Sequence, residues 1–200
     1  MQNNRWEHAG AVLAGGKSQR MGSPKAELVL PDGKKIIEHS IEILSDICKQ
    51  IIVVGSHKQD EYKLKNKITY IFDQKPYPGP LHGLEILLKS GLDNKYLVLA
   101  CDQPLLTTDL LWKLVKEDSD KVTLFQMQGD KEVQPFPGYY PASCLVDIKK
   151  AISLGKNAMY EFIEMIKVHW IPILSDEHYL IKNINTPQEF KELEKSLKHE

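Results

Sequence analysis

Short apolar segments alternate with longer segments of helical spacing along this chain. The apolar segments are rich in β-branched residues, are bounded by Gly, Asp or Pro, and predict buried strands at residues 11–14, 51–54, 68–72, 96–100 and 122–125. Between the first two, the apolar residues Ile37, Ile41, Leu44 and Cys48 recur at helical spacing. This alternation is typical of βαβ units, so we predict an α/β fold with a mainly parallel sheet.

Local signals place the other helices. Helices are predicted at residues 81–90 and 107–117, the second with an N-cap oxygen from Thr107 or Thr108. Near the end of the chain, Thr186 is followed by a proline and then by an acidic residue three positions on. This combination of a capping threonine, a proline at the first helical position and an acidic residue predicts the start of the last helix.

Composition restricts the class of protein. Lys and Arg number 26 and Asp and Glu 27, a formal charge of -1, so no general basic field would attract nucleic acid or an anionic membrane. Cys48, Cys101 and Cys144 are far apart and form no CxxC pair, which favours a reduced compartment. No apolar run approaches the roughly 18 residues of a membrane span. We therefore expect a soluble cytoplasmic protein with neither a nucleic-acid nor a membrane partner.

No repeat, low-complexity tract or linker interrupts the 200 residues, and we expect one domain over residues 1–200. Asp32-Gly33, between two apolar flanks, predicts a small hairpin or a simple turn.

The first predicted strand continues into a glycine-rich, cationic loop, AVLAGGKSQRMGSPK. Such a loop leaves the carboxyl edge of the sheet, where ligands of open α/β proteins bind. Gly15 and Gly16 allow the backbone to turn N–H groups towards an anion, and Arg20 and Lys25 add full positive charges. The motif is not a P-loop, because Ala11 stands where that motif needs glycine. A nucleoside triphosphate is the candidate ligand; the alternative is a turn with solvated cations.

A carboxylate follows the fourth predicted strand directly, in LACDQP. Asp102 therefore belongs to the same sheet edge as the glycine loop, where a hard oxygen ligand could hold Mg²⁺ together with phosphate oxygens. The alternative is a turn or helix-capping aspartate.

Two further segments carry polar side chains after predicted elements. Asp73 precedes a proline- and glycine-rich loop, and its carboxylate could accept hydrogen bonds from the paired N–H donors of guanine. Asn183 and Asn185 could orient the water shell of a metal or bind a second substrate, although an asparagine before a helix is most often a cap.

The ordered pattern L-A-G-G-x-S-x-R-M-G-x-x-K resembles the signature loop of the NTP-transferase family, and within it most closely the molybdenum cofactor guanylyltransferases. The segments C-D-x-P, P-G-P-L-x-G and N-I-N-T-P also resemble segments of that family. The resemblance implies a Rossmann-like three-layer sandwich of the nucleotide-diphospho-sugar transferase type. It also implies that the N-terminal part binds nucleotide and the C-terminal part binds the acceptor.

By this resemblance the catalytic residues are Arg20, Lys25 and Asp102, with Asp102 as the ligand of Mg²⁺. The implied nucleotide-binding residues are Leu13, Ala14, Gly15, Gly16, Lys25, Asp73 and Asp102. Asn183 and Asn185 are implied to bind the acceptor or the water of the metal. In one departure, Gly55 follows the second strand where many of these enzymes carry an asparagine that contacts the nucleotide.

The activity implied is transfer of GMP from GTP to molybdopterin cofactor with release of pyrophosphate. Further partners implied are other molybdenum-cofactor biosynthesis proteins and apo-molybdoenzymes. Two alternatives remain open: a transferase using CTP on the same pterin or an NTP on another small acceptor, and a non-catalytic nucleotide-binding regulatory protein.

Overall fold

A computed structural model describes residues 5–15, 25–55, 68–72, 79–117, 119–127 and 133–197. The strands among these residues are β1 (Trp6–Leu13), β2 (Cys48–Val54), β3 (Ile68–Ile71), β4 (Lys95–Ala100), β5 (Thr123–Met127), β6 (Gly138–Pro141) and β7 (His169–Ile173). The helices are α1 (Ile36–Ile47), α2 (Pro80–Lys89), α3 (Thr108–Val115), α4 (Leu145–Ser153), α5 (Met159–Ile163) and α6 (Pro187–Leu197). Short 3-10 segments occupy Lys25–Glu27, Ala142–Cys144 and Ser175–Ile181.

The strands form one mixed sheet in the order β3-β2-β1-β4-β6-β5-β7. The first four are mutually parallel, and β6 runs antiparallel to both of its neighbours, β4 and β5. β7 closes the far side, parallel to β5. The predicted α/β class with a mainly parallel sheet is confirmed.

Alternate side chains of the central strands enter two apolar cores on opposite faces of the sheet. On β2, Ile52 and Val54 face one core and Ile51 and Val53 face the other. Helices α2, α4 and α5 cover the first face, while α1 and α3 cover the second. The predicted three-layer sandwich is thus confirmed, and burial on both faces explains why these strands are continuous apolar runs.

Helix starts agree with the sequence signals. Thr107, rather than Thr108, caps α3, its hydroxyl accepting a 3.3 Å hydrogen bond from the N–H of Leu110. At α6, the Thr186 hydroxyl accepts from the N–H of Glu189, and the Glu189 carboxylate accepts from the N–H groups of Asn185 and Thr186 at 2.7 and 2.9 Å. This reciprocal capping box confirms the predicted start of the last helix.

The Asp32-Gly33 segment is a tight turn closed by one antiparallel bridge between Val29 and Lys35. Gly33 has a φ of 86°, a conformation that favours glycine. Of the two predicted alternatives, a small hairpin or a simple turn, the structure shows a hairpin with a single bridge.

Two strands were not predicted. β6 contains Gly138 and Pro141, and β7 contains Pro172, so neither has the composition of a typical strand. β7 lies at the end of the strand order, where a proline is tolerated because one side of the strand needs no ladder hydrogen bonds. Among the described residues, no helix has the length and apolarity to cross a membrane.

Candidate nucleotide site at the carboxyl edge of the sheet

The ends of β1, β2 and β4 are level with one another. Leu13 pairs in register with Val54 of β2 on one side and with Ala100 of β4 on the other. One residue further on, the N–H of Ala14 donates a 2.9 Å hydrogen bond to the carbonyl oxygen of Val54. Leu13 is therefore buried in the sheet, and the chain first leaves it at Gly15.

The next strand end is fixed in a similar way. The N–H of Gly55 donates a 2.9 Å hydrogen bond to the carbonyl oxygen of Ile71, the last residue of β3. Gly55 has a φ of 88°, which turns the chain sharply after β2. Because the N–H of Gly55 already donates to Ile71, the backbone group with which Gly55 could bind a ligand is its carbonyl oxygen.

Asp102 comes two residues after the end of β4 and is half-buried. Since Ala100 is level with Leu13, the carboxylate belongs to the same sheet edge as Gly15. Within the described part of the chain, no group of three or more His, Cys, Asp or Glu side chains could hold a metal ion. A single carboxylate nevertheless suits Mg²⁺, which commonly takes its remaining ligands from substrate phosphates and water.

The asparagine segment is attached to the same turn. The N–H of Ile184 donates a 2.8 Å hydrogen bond to the carbonyl oxygen of Asp102, so Asn183 and Asn185 flank the attachment point. The Oδ1 atom of Asn183 is buried and accepts no hydrogen bond from the described residues. Asn185 is exposed, and its N–H donates a hydrogen bond to the Glu189 carboxylate in the cap of α6. This hydrogen bond is the largest cause of the lowered pKa of Glu189.

A third apolar cluster joins the segments on this side of the molecule. Its buried members are Leu30, Ile36, Ile184 and Leu193, with Leu28, Leu105, Phe190 and Leu197 packed against them. These residues come from the chain after the Lys25–Glu27 segment, from the chain after Asp102, and from the asparagine segment with α6. Packing thus brings together the segment that follows Lys25, the segment that follows Asp102, and the asparagine segment.

Gln103 was not among the predicted site residues. Its side chain is 1% exposed, and its Nε2 donates hydrogen bonds to the carbonyl oxygens of Phe136 at 2.7 Å and Ile181 at 2.8 Å. The partners lie 33 and 78 residues away along the chain, so no local sequence signal could have revealed them.

Several predicted residues lie outside what the structure describes, namely Gly16, Arg20 and Asp73. For Lys25 the backbone alone is described, in a 3-10 segment. The residues brought to one sheet edge are Leu13, Ala14, Gly15, Asp102, Asn183 and Asn185.

The chain matches the model of the MobA-like NTP transferase domain over residues 10–169. The chain belongs to this family. A probable molybdenum cofactor guanylyltransferase of Carboxydothermus hydrogenoformans is 36% identical over 191 residues, covering 92% of this chain and 93% of the relative. A molybdenum cofactor guanylyltransferase of Vibrio parahaemolyticus is 31% identical, and the alignment covers 89% of this chain and 90% of the relative.

Solved structures of MobA-like and related transferases share the fold. Molybdopterin-guanine dinucleotide biosynthesis protein A from Archaeoglobus fulgidus superposes with a TM-score of 0.78 at 26% identity, covering 96% of this chain and all of that one. A 2-C-methyl-D-erythritol 4-phosphate cytidylyltransferase from Thermus thermophilus has a TM-score of 0.69 at 13% identity, and the superposition covers 94% of this chain and 98% of that one. The resemblance to the NTP-transferase family and the nucleotide-diphospho-sugar transferase type of fold are confirmed.

Proposed function

We propose that this MobA-like protein transfers GMP from GTP to molybdopterin cofactor and releases pyrophosphate. The observation that carries the proposal is the register of Leu13 with Ala100, which places the start of the signature loop beside the turn that bears Asp102. Relatives named molybdenum cofactor guanylyltransferase align over nearly the whole chain, which supports the choice of donor and acceptor.

In the proposed reaction a phosphate oxygen of the acceptor attacks the α-phosphorus of GTP. A new P–O bond forms to the acceptor, the bond between the α-phosphorus and the α,β-bridging oxygen breaks, and pyrophosphate leaves with that oxygen and its electron pair. The attacking oxygen is already anionic, so no general base is needed. The protein has to align the two substrates and neutralise negative charge.

Cations and backbone dipoles of the signature loop serve the triphosphate in this scheme. Gly15 and Gly16 would approach the phosphates with backbone N–H groups, and Arg20 and Lys25 would supply positive charge. Asp73 would accept hydrogen bonds from the guanine edge. Gly55 offers no side chain for the base, so base selection would depend on Asp73 and on backbone carbonyls.

Asp102 would hold Mg²⁺. Its half-buried carboxylate at the sheet edge is the hard oxygen donor that this ion prefers. When bound, the ion would neutralise charge on the phosphate oxygens. Asn183, whose Oδ1 is buried and accepts no hydrogen bond from the described residues, would orient metal-bound water or the acceptor.

We further propose that residues 1–200 act as one nucleotidyltransferase domain in the cytoplasm, with the acceptor bound by the C-terminal part. Other molybdenum-cofactor biosynthesis proteins and apo-molybdoenzymes would be its partners in delivery of the product.

The test is a pyrophosphate-release assay of the purified protein with each of the four NTPs, with and without molybdopterin, in Mg²⁺. Release with GTP that depends on molybdopterin is expected. Preference for CTP would indicate a cytidylyltransferase of the same fold. No release with any NTP, combined with nucleotide binding, would indicate a non-catalytic binding protein and contradict the proposal.

A further inference from the structure

We infer that Gln103 is a positioning residue that holds the Asp102 turn in the geometry needed for metal-assisted nucleotide binding. The inference rests on the proposed function, since it assigns to Asp102 the role of metal ligand. It concerns Gln103, the residue next to Asp102 in the chain. In the proposed scheme Gln103 has no contact with substrate.

The side chain of Gln103 connects three segments that are distant in sequence. Its two Nε2 protons reach the carbonyl oxygens of Phe136, just before β6, and of Ile181, at the end of a 3-10 segment. The side chain is almost completely buried, so these hydrogen bonds do not compete with bulk water. Three segments are therefore held at one point directly beside the metal-binding turn.

The chemistry of the amide fixes its orientation. Two carbonyl oxygens face one end of the side chain, and only the NH₂ end can satisfy both of them. The Oε1 atom then points to a buried position where it accepts no hydrogen bond from the described residues. A carboxylate or a thioether of similar size would leave both carbonyl oxygens without a donor.

A second connection makes the arrangement rigid. Ile184 donates its N–H to the carbonyl oxygen of Asp102 itself, three residues after the carbonyl that Gln103 binds. The turn is thus attached to residues 181–184 at two points, by a side chain and by the backbone. Displacing Gln103 would let the Asp102 carboxylate shift relative to the end of β1, and shifts of about 1 Å can cost roughly a hundredfold in rate.

The test compares the affinity for GTP in EDTA and in Mg²⁺, measured by titration calorimetry, for the unsubstituted protein and for Gln103→Met. Affinity in EDTA should change less than about twofold, whereas the gain in affinity on adding Mg²⁺ should fall about tenfold. Gln50→Met is the matched control. It removes a similar amide, whose Nε2 lies 3.5 Å from Thr69 Oγ1 near the start of β2, and should leave both affinities unchanged.

A purely structural role gives a different result. In that case Gln103→Met lowers the midpoint of thermal unfolding but leaves the Mg²⁺-dependent gain intact, or lowers both affinities equally, and either outcome overturns the inference. Should the methionine variant fail to fold, Gln103→Asn, which keeps the amide on a shorter side chain, should show the same split with smaller amplitude. Faster hydrogen exchange of the Ile184 N–H in either folded variant is expected as well.

Failure of the proposed function is distinguishable in the same data. If GTP binding by the unsubstituted protein is independent of Mg²⁺, the metal-binding role of Asp102 is wrong and the inference falls with it. If the unsubstituted protein gains affinity with Mg²⁺ and Gln103→Met gains equally, the inference alone is wrong.

Discussion

The backbone N–H of Ile184 donates a 2.8 Å hydrogen bond to the carbonyl oxygen of Asp102. This bond joins the turn that follows β4, the middle strand of the sheet, to a segment 82 positions further along the chain. Ile184 is also buried in an apolar cluster with Leu30, which follows the Lys25–Glu27 segment. The proposed nucleotide and acceptor sides of the site are therefore parts of one packed region.

Asp102→Asn should lower Mg²⁺-dependent turnover roughly a hundredfold while leaving the unfolding midpoint little changed, because the amide retains the size of the side chain but loses the charge that holds the metal. Steady-state pyrophosphate release across a Mg²⁺ titration checks this. Asp120→Asn is the matched control: it removes a carboxylate from an exposed position before β5 and should leave kinetics unchanged. A normal Mg²⁺ response of Asp102→Asn would remove Asp102 from the site.

Lys25→Ala should raise the KM for GTP and lower turnover at least about tenfold, because the triphosphate loses a charge-assisted contact. Circular dichroism should be unchanged. Lys34→Ala, which removes an exposed lysine paired with Glu42 at 2.6 Å, is the control and should behave as the unsubstituted protein. Equal kinetics for both variants would show that Lys25 has no part in binding.

Gly10→Ala should destabilise the fold by about 1–3 kcal/mol, because the added Cβ would lie 2.9 Å from Cys48 Sγ and from Leu44 Cδ2. Chemical denaturation measures the loss. The same substitution in a Cys48→Ala background should cost less, since one of the two crowding atoms is gone. An equal cost in both backgrounds would show that crowding against the Cys48 sulfur is not part of the cause.

Stability should depend on the charge of Asp93 at acidic pH. Burial acts to raise the pKa of this carboxyl, but hydrogen bonds from His8 at 2.8 Å and from the N–H groups of Asn94 and Lys95 outweigh it, and the net pKa is lowered. A lowered pKa means that the unfolded state binds more protons, so this stabilisation is present above about pH 4 and lost as the pH falls through the lowered pKa.

A double-mutant cycle of His8→Ala and Asp93→Asn measures this contribution. The coupling free energy should be about 1 kcal/mol at pH 6 and approach zero near pH 2. A coupling that stays constant over this range would contradict the assignment.

Strands β1, β2, β4 and β5 could be predicted because burial on both faces of the sheet gives them short continuous apolar runs. Strands β6 and β7 were not predicted, because glycine and proline are unfavourable in strands. Long-range pairing with other strands determines their conformation. The position of Asp102 followed from strand direction, whereas Gln103 could be found only from its contacts with Phe136 and Ile181. The catalytic and binding roles of Arg20, Lys25, Asp102 and the other predicted site residues remain predictions.

A crystal structure with Mg²⁺ and guanosine 5′-(α,β-methylene)triphosphate, whose α,β bond cannot be broken, tests most directly whether one metal-bound nucleotide lies at the carboxyl edge of the sheet. We predict Mg²⁺ within direct ligand distance of an Asp102 carboxylate oxygen, with the triphosphate against Gly15 and the charged groups of Arg20 and Lys25. A nucleotide bound away from the ends of β1 and β4, or a metal without Asp102 among its ligands, would contradict the proposed site.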